Sequence, residues 1–488
     1  MWTKDSLINA IEKNLKGYKF IVASNREPYT HEYRGKEIKC IKTVSGVTIA
    51  LDPVMQAARG VWIAWASGNA DKEAVDENSC VRVPPDNHRY TLKRVWLSRE
   101  EEDGYYYGYS NQALWPLSHI VYEKPVFLKE HWLIYKKINQ RFAEAILEEM
   151  GMDKAFVWLQ DYHLTLAGKY IKKKRTDAIV SMFWHIPWPN PEAFRICPQK
   201  KEILSGLLSC DLLGFHIRYH CINFMNTVDF ELEAKTNYEE NSIIYQGHKT
   251  VIRAFPISVD FEGISNESQS LPVVQAIKQL PDQISPSYEI LALSVDRIDY
   301  TKGILERLRA IDRFLEKYPE YQRKVVFYQI GAFSRIRIKT YKDLINKVQQ
   351  LVEEINWKYK AGNWYPIVLN TKGIDYVQHL ALYRSADLCI VSSRHDGMNL
   401  VAKEYVAANV DLKGVLILSK FTGSAREFSK GAILINPYDF ESTADAIKKA
   451  IQMSKEKRVE RMHKMRNIVA ERNIYRWAGK FISNLVRL

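Results

Sequence analysis

Two cations, Arg297 and Lys302, stand five positions apart in Asp296-Arg297-Ile298-Asp299-Tyr300-Thr301-Lys302-Gly303, a segment that opens a helical pattern. A helix start presents backbone N–H donors and the positive end of a dipole, and cations beside it make a place for a diphosphate. A surface helix start with chance cations accounts for this segment equally well. Further along, Asp396-Gly397-Met398-Asn399-Leu400-Val401-Ala402-Lys403-Glu404 reads as a loop feeding a helix. Gly397 permits close backbone approach, and Asp396 could accept a sugar hydroxyl. Glu404 could hold a ribose diol, as acidic residues do at other nucleotide sites; taken alone it reads more simply as a helix-face charge. His185 lies between an apolar run and Pro187, where a lone histidine is more often a satisfied structural residue, and the same holds for Asp161-Tyr162-His163. No Asp-x-Asp occurs, so the usual carboxylate hook for a metal-bound nucleotide diphosphate is missing. Arg297 and Lys302 would then have to stabilise a leaving group in its place. The phosphate-cradling Gly-x-x-x-x-Gly-Lys-Ser/Thr loop is also absent, which argues against a P-loop ATPase.

These side chains need strands to present them. Short apolar runs, Phe20–Ala23, Phe156–Leu159, Ile179–Trp184, Leu291–Val295, Val325–Ile330, Leu388–Val391, Val415–Leu418 and Ile433–Ile435, alternate with longer helical patterns. Runs without in/out alternation fit strands buried on both faces of a parallel sheet. After Thr301 the residues Ile304, Leu308, Ile311 and Leu315 share one helical face, and Pro319 lies just beyond it. Strand–helix alternation through both halves predicts α/β architecture with two open sheets. Patterning is weakest over Thr236–Val251 and Ser265–Ser287, which places the boundary after Ala254-Phe255-Pro256. The last helical pattern, Ile474–Leu488, could cross back onto the first domain. Ligands of open α/β sheets bind outside the carboxyl ends of the strands. Polar clusters follow five of the runs: Ser24-Asn25-Arg26, Asp161-Tyr162-His163, His185-Ile186-Pro187, Asp296-Arg297 with Lys302, and Arg394-His395-Asp396-Gly397. Five clusters at one topological position predict one cleft between facing sheets.

A chain of 488 residues exceeds one ordinary core and implies two domains. A composition 46% hydrophobic and 26% charged fits a folded globular protein. The net charge of +13 suits acidic partners such as phosphorylated metabolites. The basic residues are scattered, and the densest run, Lys172-Lys173-Lys174-Arg175, reads as a solvated helix end, so nucleic-acid readout is not expected. The six cysteines show no Cys-x-x-Cys spacing, which disfavours a zinc site; most read as small core residues in a reducing compartment. The N-terminus lacks the continuous apolar stretch of a secretory signal, and no run is long enough to span a membrane. A cytoplasmic protein is expected.

Longer blocks add a resemblance. Ser24-Asn25-Arg26, Trp62–Gly68, Ser110–Pro116, Trp158–Leu164, His185–Pro189, Asp211–His216, Val295–Gly303, Asp396–Ala407, Gly414–Ser419 and Asn436-Pro437-Tyr438-Asp439 carry a likeness that runs from Ser24 to about Asn484. In these blocks the sequence resembles the trehalose-6-phosphate synthases, retaining glucosyltransferases of the two-domain GT-B fold. The resemblance implies two Rossmann-like domains, an acceptor-binding domain over 1–255 and a nucleotide-sugar-binding domain over 256–473, with helix 474–488 crossing back. It implies that Arg297 and Lys302 bind the nucleotide diphosphate and Glu404 the ribose. Asp396 and His185 would bind the donor glucose, with Gly397, Met398, Asn399 and Leu400 completing that loop. Gly46, in Val44-Ser45-Gly46-Val47, would lie on a mobile loop over the donor phosphates. Arg26, Tyr106, Trp115 and Arg335 would hold the acceptor, chiefly its phosphate, and Asp161 its hydroxyls. His185, Asp161, Arg297 and Lys302 would form the catalytic set. The partners implied are a nucleotide-glucose co-substrate, which would be UDP-, GDP- or ADP-glucose, and a sugar phosphate; a homo-oligomer is also in keeping. No further cofactor and no metal are implied.

Three departures stand out. The usual Gly-Gly of the donor loop is Ser45-Gly46, with less backbone freedom. His395 stands directly before Asp396, where the family has arginine, and Arg394 comes one position earlier. The flanks of Ser334-Arg335 are more basic than usual. Asn25–Tyr29 and Asp211–Asn223 also look partly like glucosylglycerol-phosphate synthases, which use glycerol 3-phosphate. Arg335 favours the sugar phosphate over that alternative. A sugar-phosphate sensor without turnover would be expected to lose donor-site residues, and His185, Arg297, Lys302, Asp396 and Glu404 are all present. A basic nucleic-acid-binding protein would show steeply salt-dependent binding, but no motif supports one.

Overall fold

A computed structural model of the chain describes residues 2–43, 46–284 and 288–485. It divides into two compact units, Met1–Ile257 with Ile474–Leu488, and Ser258–Asn473. All eight apolar runs named above form strands, and every one pairs in parallel with a neighbour. The reason is burial on both faces: Ala155–Gln160 and Val415–Ser419 are buried at every position, so neither face tolerates the polar half of an alternating pattern.

In the first unit the strands run in the order Lys235–Asn237, Ser242–Tyr245, His248–Ala254, Leu212–Phe215, Ile179–Phe183, Ala155–Gln160, Lys19–Arg26, Val61–Trp65, Tyr90–Val95 and Cys80–Val83. The strands from His248–Ala254 to Tyr90–Val95 are parallel, and antiparallel strands finish both edges. Lys19–Arg26 and Ala155–Gln160 lie centrally, so the segments that follow them emerge at mid-sheet. The weakly patterned Thr236–Val251 forms part of one antiparallel edge, turning through Gln246 and Gly247, both at positive φ. Such short, half-solvated edge strands carry little apolar signal. A separate two-stranded sheet pairs Tyr29–Arg34 with Glu37–Lys42.

The helix Ile474–Leu485 belongs to this first unit. Its Phe481 stacks on Trp158 at 4.4 Å, and Trp477 packs against Trp158 at 4.9 Å. Phe481 also meets Phe183 and Phe255. The chain end thus covers the strands that lead to the Asp161 and His185 segments.

The second unit holds a six-stranded, wholly parallel sheet ordered Ile367–Asn370, Val325–Ala332, Ile290–Arg297, Leu388–Val391, Val415–Ser419 and Ile433–Ile435. Helix Ile304–Lys317 buries Ile304, Leu308, Ile311 and Leu315 on one face. The Ser- and Gln-rich stretch after Ser265 is helical over Leu271–Ile284, and the expectation placed at Ser285–Ser287 falls outside the described residues. The cysteines are all free thiols; Cys197, Cys210, Cys221 and Cys389 are buried. No helix among the described residues is long and apolar enough to cross a membrane.

Candidate active site

In the first unit, Lys19–Arg26 delivers Arg26 at its carboxyl end, where the register slips between Ser24 and Arg26. Ser24 Oγ donates to the Arg26 carbonyl at 2.7 Å and accepts from Trp62 Nε1 at 2.8 Å, which pins that irregularity. Arg26 is exposed, and its Nη2 donates to the Tyr106 hydroxyl at 2.9 Å. Tyr106 lies on Asp103–Leu114, a segment with i→i+5 helical hydrogen bonding that the sequence patterning did not reveal. The Tyr106 ring is buried, stacks on His163 at 6.0 Å and meets Trp65 at 5.6 Å. Trp115 opens the helix Trp115–His119, directly before Pro116, and packs against His119 at 4.1 Å and Tyr162 at 5.9 Å.

Asp161 leaves its strand at φ 71°, a left-handed conformation that turns the chain into Tyr162–Leu164. Its Oδ1 accepts from the His185 backbone N–H at 3.1 Å, while its own N–H donates to the Phe183 carbonyl at 2.7 Å. Asp161 and His185 therefore form one local assembly on adjacent parallel strands. The His185 Nε2–H donates to Gln160 Oε1 at 2.8 Å, which leaves Nδ1 as the acceptor of a neutral ring. Burial, with neighbouring His163 second, pushes the His185 pKa down to about 3. Gln160, quoted in the Trp158–Leu164 block, received no role from sequence. Gly46 begins the helix Gly46–Ala58 and is exposed; Val44 and Ser45, with the glycine departure, lie outside the described residues.

In the second unit, strand Ile290–Arg297 is followed by the turn Tyr300–Lys302 and the helix from Ile304. Gly303 sits between them at φ 63°, and a Cβ there would lie 2.2 Å from the Ser392 carbonyl oxygen. Only glycine fits. The Lys302 ammonium donates to Asp396 Oδ2 at 2.6 Å, and the Asn399 amide donates to the same oxygen at 3.2 Å. Asn399, at φ 77°, caps helix Leu400–Ala408 by accepting from the Ala402 N–H at 3.0 Å. Gly397 packs so closely that a Cβ on Gly423 would lie 2.1 Å from its carbonyl oxygen. Met398 is buried and Leu400 half-buried. Half-buried Glu404 accepts from the Tyr383 hydroxyl at 3.0 Å; burial raises its pKa and that hydrogen bond opposes the rise. Half-buried Arg297 closes the strand. Preceding it, Asp296 is paired with Arg307 at 2.8 Å, and Arg307 also holds Gln329 and Ser392.

Arg335 is a second-unit residue, 7% exposed and at φ 52°. Its Nη1 donates to Asp299 Oδ2 at 2.9 Å and to the Tyr341 hydroxyl at 2.5 Å. Asp299 and Tyr341 escaped the sequence reading. Asp299 was quoted in its motif, but nothing in spacing announced its partner 36 residues on. In the altered pre-Asp396 segment, Arg394 Nε donates to the Tyr438 hydroxyl at 3.0 Å. No group of three or more metal-ligating side chains occurs among the described residues.

Two α/β units built on parallel-dominated sheets, with charged and hydroxyl side chains gathered after the strand ends, define a GT-B glycosyltransferase. The profile of glycosyltransferase family 20 matches residues 18–487, and the chain belongs to that family. It is 35% identical over 480 residues to the bifunctional trehalose-6-phosphate synthase/phosphatase of Thermoproteus tenax, covering 96% of this chain and 63% of that protein. The chain thus spans somewhat under two thirds of that relative. It is 32% identical over 479 residues to the UDP-forming alpha,alpha-trehalose-phosphate synthase of Pichia angusta, covering 96% of this chain and 99% of that one. The crystal structure of a UDP-forming alpha,alpha-trehalose-phosphate synthase from Burkholderia xenovorans in complex with glucose-6-phosphate superposes with a TM-score of 0.86. The two share 27% identity, over 96% of this chain and 99% of that one.

Proposed function

We propose that this protein transfers glucose from UDP-glucose to glucose 6-phosphate, with retention at the anomeric carbon, giving α,α-trehalose 6-phosphate and UDP. The observation that carries the reading is the Lys302–Asp396 pair in the second unit. It joins a cation suited to a diphosphate and a carboxylate suited to sugar hydroxyls, at the ends of parallel strands. UDP is favoured because the Pichia angusta and Burkholderia xenovorans proteins are UDP-forming.

In this reading the second unit holds the donor. Arg297 and Lys302 bind the diphosphate, Glu404 the ribose, and Asp396 with Gly397, Met398, Asn399 and Leu400 the glucose. Arg26, Tyr106, Trp115 and Asp161 bind the acceptor, and Arg335 offers a guanidinium for its phosphate. A guanidinium paired with a phenol donor, as in Arg26 and Tyr106, suits phosphate oxygens, and an indole offers a flat apolar face to a sugar ring. The bond from anomeric carbon to UDP oxygen breaks as the bond to the acceptor hydroxyl oxygen forms on the same face. The acceptor proton passes to the departing phosphate oxygen. Arg297 and Lys302 stabilise the charge that grows there, and neutral His185 contributes a hydrogen-bonding ring without competing for that charge. No enzyme nucleophile is required. The substrates are small molecules, and the reading places the reaction in the cytoplasm.

The test is nucleoside diphosphate release from UDP-, GDP- and ADP-glucose, each with glucose 6-phosphate or glycerol 3-phosphate, without added metal. UDP release with glucose 6-phosphate is expected. Release with glycerol 3-phosphate alone would overturn the acceptor assignment, and silence in every combination would overturn the reaction.

A further inference from the structure

Asp299 is fully buried, and its two oxygens face different neighbours. Oδ1 accepts from the Thr301 backbone N–H at 3.0 Å and from the Thr301 hydroxyl at 2.9 Å. Those bonds set the turn Tyr300–Lys302, whose last residue carries the ammonium bound to Asp396. Oδ2 accepts from Arg335 Nη1 at 2.9 Å and from the Tyr341 hydroxyl at 3.2 Å. Tyr341 in turn accepts from Arg335, and the guanidinium carbon lies 5.3 Å from its ring. Arg335 sits between strand Val325–Ala332 and helix Lys339–Tyr359, in a left-handed conformation that a non-glycine residue adopts only when its surroundings hold it there. Burial disfavours a charge on Asp299, but Arg335, Arg297, the Thr301 N–H and Lys302 outweigh it and hold the carboxyl below its usual range.

We propose that Asp299 is a positioning residue shared by two phosphate-binding cations, fixing the turn of Lys302 with one oxygen and the guanidinium of Arg335 with the other. The inference rests on the proposed function, which gives Lys302 to the donor diphosphate and Arg335 to the acceptor phosphate. A single buried carboxylate then sets the spacing between the two anionic ends of the substrates. A buried ion pair is weak evidence for stability, and this one engages a cation that the reaction itself would use.

Steady-state kinetics and UDP-binding calorimetry on the full chain test it. Asp299→Asn replaces an acceptor oxygen with a donor while keeping the shape. The KM for glucose 6-phosphate is expected to rise roughly ten- to a hundredfold, the scale of one lost charge-assisted hydrogen bond, and UDP binding to weaken severalfold. Tyr341→Phe removes a hydroxyl that faces Oδ2, Arg335 and the Tyr300 hydroxyl but neither the Thr301 groups nor Lys302, so it is expected to raise the acceptor KM by more than it weakens UDP binding. In an Arg335→Ala background, Asp299→Asn is expected to add no further rise in acceptor KM. An additive rise, or unchanged constants in both single variants while Arg335→Ala raises KM, would overturn the positioning role with the function intact. If Arg335→Ala itself leaves the acceptor KM unchanged, the assignment of Arg335 falls instead. Should Asp299→Asn fail to fold, the Tyr341→Phe and Arg335→Ala pair decides the Arg335 arm.

Discussion

The ammonium of Lys302 lies 2.6 Å from Asp396 Oδ2, beyond the carboxyl ends of the two central strands of the second sheet. The two residues leave different parallel strands, Ile290–Arg297 and Leu388–Val391, which are direct neighbours. Gly303 at φ 63°, seated against the Ser392 carbonyl, brings the two loops that close together. A cation and a carboxylate 94 positions apart thus become one element.

Lys302→Ala removes charge from the place where the proposed leaving group develops it. Turnover is expected to fall by roughly a hundredfold or more, the scale for a lost transition-state charge contact. The variant also leaves Asp396 without its cation. Measuring kcat with both substrates saturating checks this, and a near-normal kcat would exclude Lys302 from leaving-group stabilisation.

Tyr106→Phe deletes the hydroxyl that Arg26 donates to, while keeping the ring that stacks on His163. The KM for glucose 6-phosphate is expected to rise about tenfold, with the UDP-glucose KM unchanged. Varying each substrate in turn separates the two effects. A change confined to the donor constant would remove Tyr106 from the acceptor.

His185 carries a pH signature. Its folded pKa is pushed down to about 3 from 6.5, so between those values the unfolded chain binds a proton that the folded chain refuses. Stability supplied by the neutral ring is present above 6.5 and is lost as the pH falls toward 3. Denaturant unfolding of His185→Gln is expected to show a shallower loss of stability on acidification than the parent. Equal slopes would mean that His185 titrates normally in the fold. By the same argument, kcat should show no acidic limb near pH 6.5 from this residue.

Gly303→Ala places a Cβ 2.2 Å from the Ser392 carbonyl oxygen at a positive φ. The contact is with backbone, so the turn or the strand end must move. Loss of about 1–3 kcal/mol in stability is expected, together with a lower kcat because Lys302 is the preceding residue. Thermal unfolding and turnover, measured together, check it. A parent-like melting temperature and rate would show that the loops relax without cost.

Eight of the parallel strands, the amphipathic helix after Gly303 and the loop into helix Leu400–Ala408 are legible in the chain, because each is written in local order. Apolar runs without alternation require burial on both faces, a 3.6-residue period marks one buried helix face, and glycine marks a close approach. Other structure was not legible, including the parallel strands Val61–Trp65, Tyr90–Val95, Leu212–Phe215 and Ile367–Asn370. Asp103–Leu114, which carries Tyr106, follows an i→i+5 spacing that matches neither period. The strands Lys235–Asn237 and Ser242–Tyr245 at the antiparallel edge are short and half-polar.

Of the candidate side chains, sequence determined identity and position along the strands: Arg26, Asp161, His185, Arg297 and Asp396 all lie at or just after strand ends. Partners were decided only by tertiary structure. Arg26 with Tyr106, Asp299 with Arg335 and Tyr341, Glu404 with Tyr383, and Lys302 with Asp396 are separated by 21 to 94 residues. Parallel strands need crossover connections of a dozen residues or more, so neighbours in the sheet are distant in the chain. Hydrogen bonding and charge act over a few ångströms of space, and only the folded sheets bring those distances about.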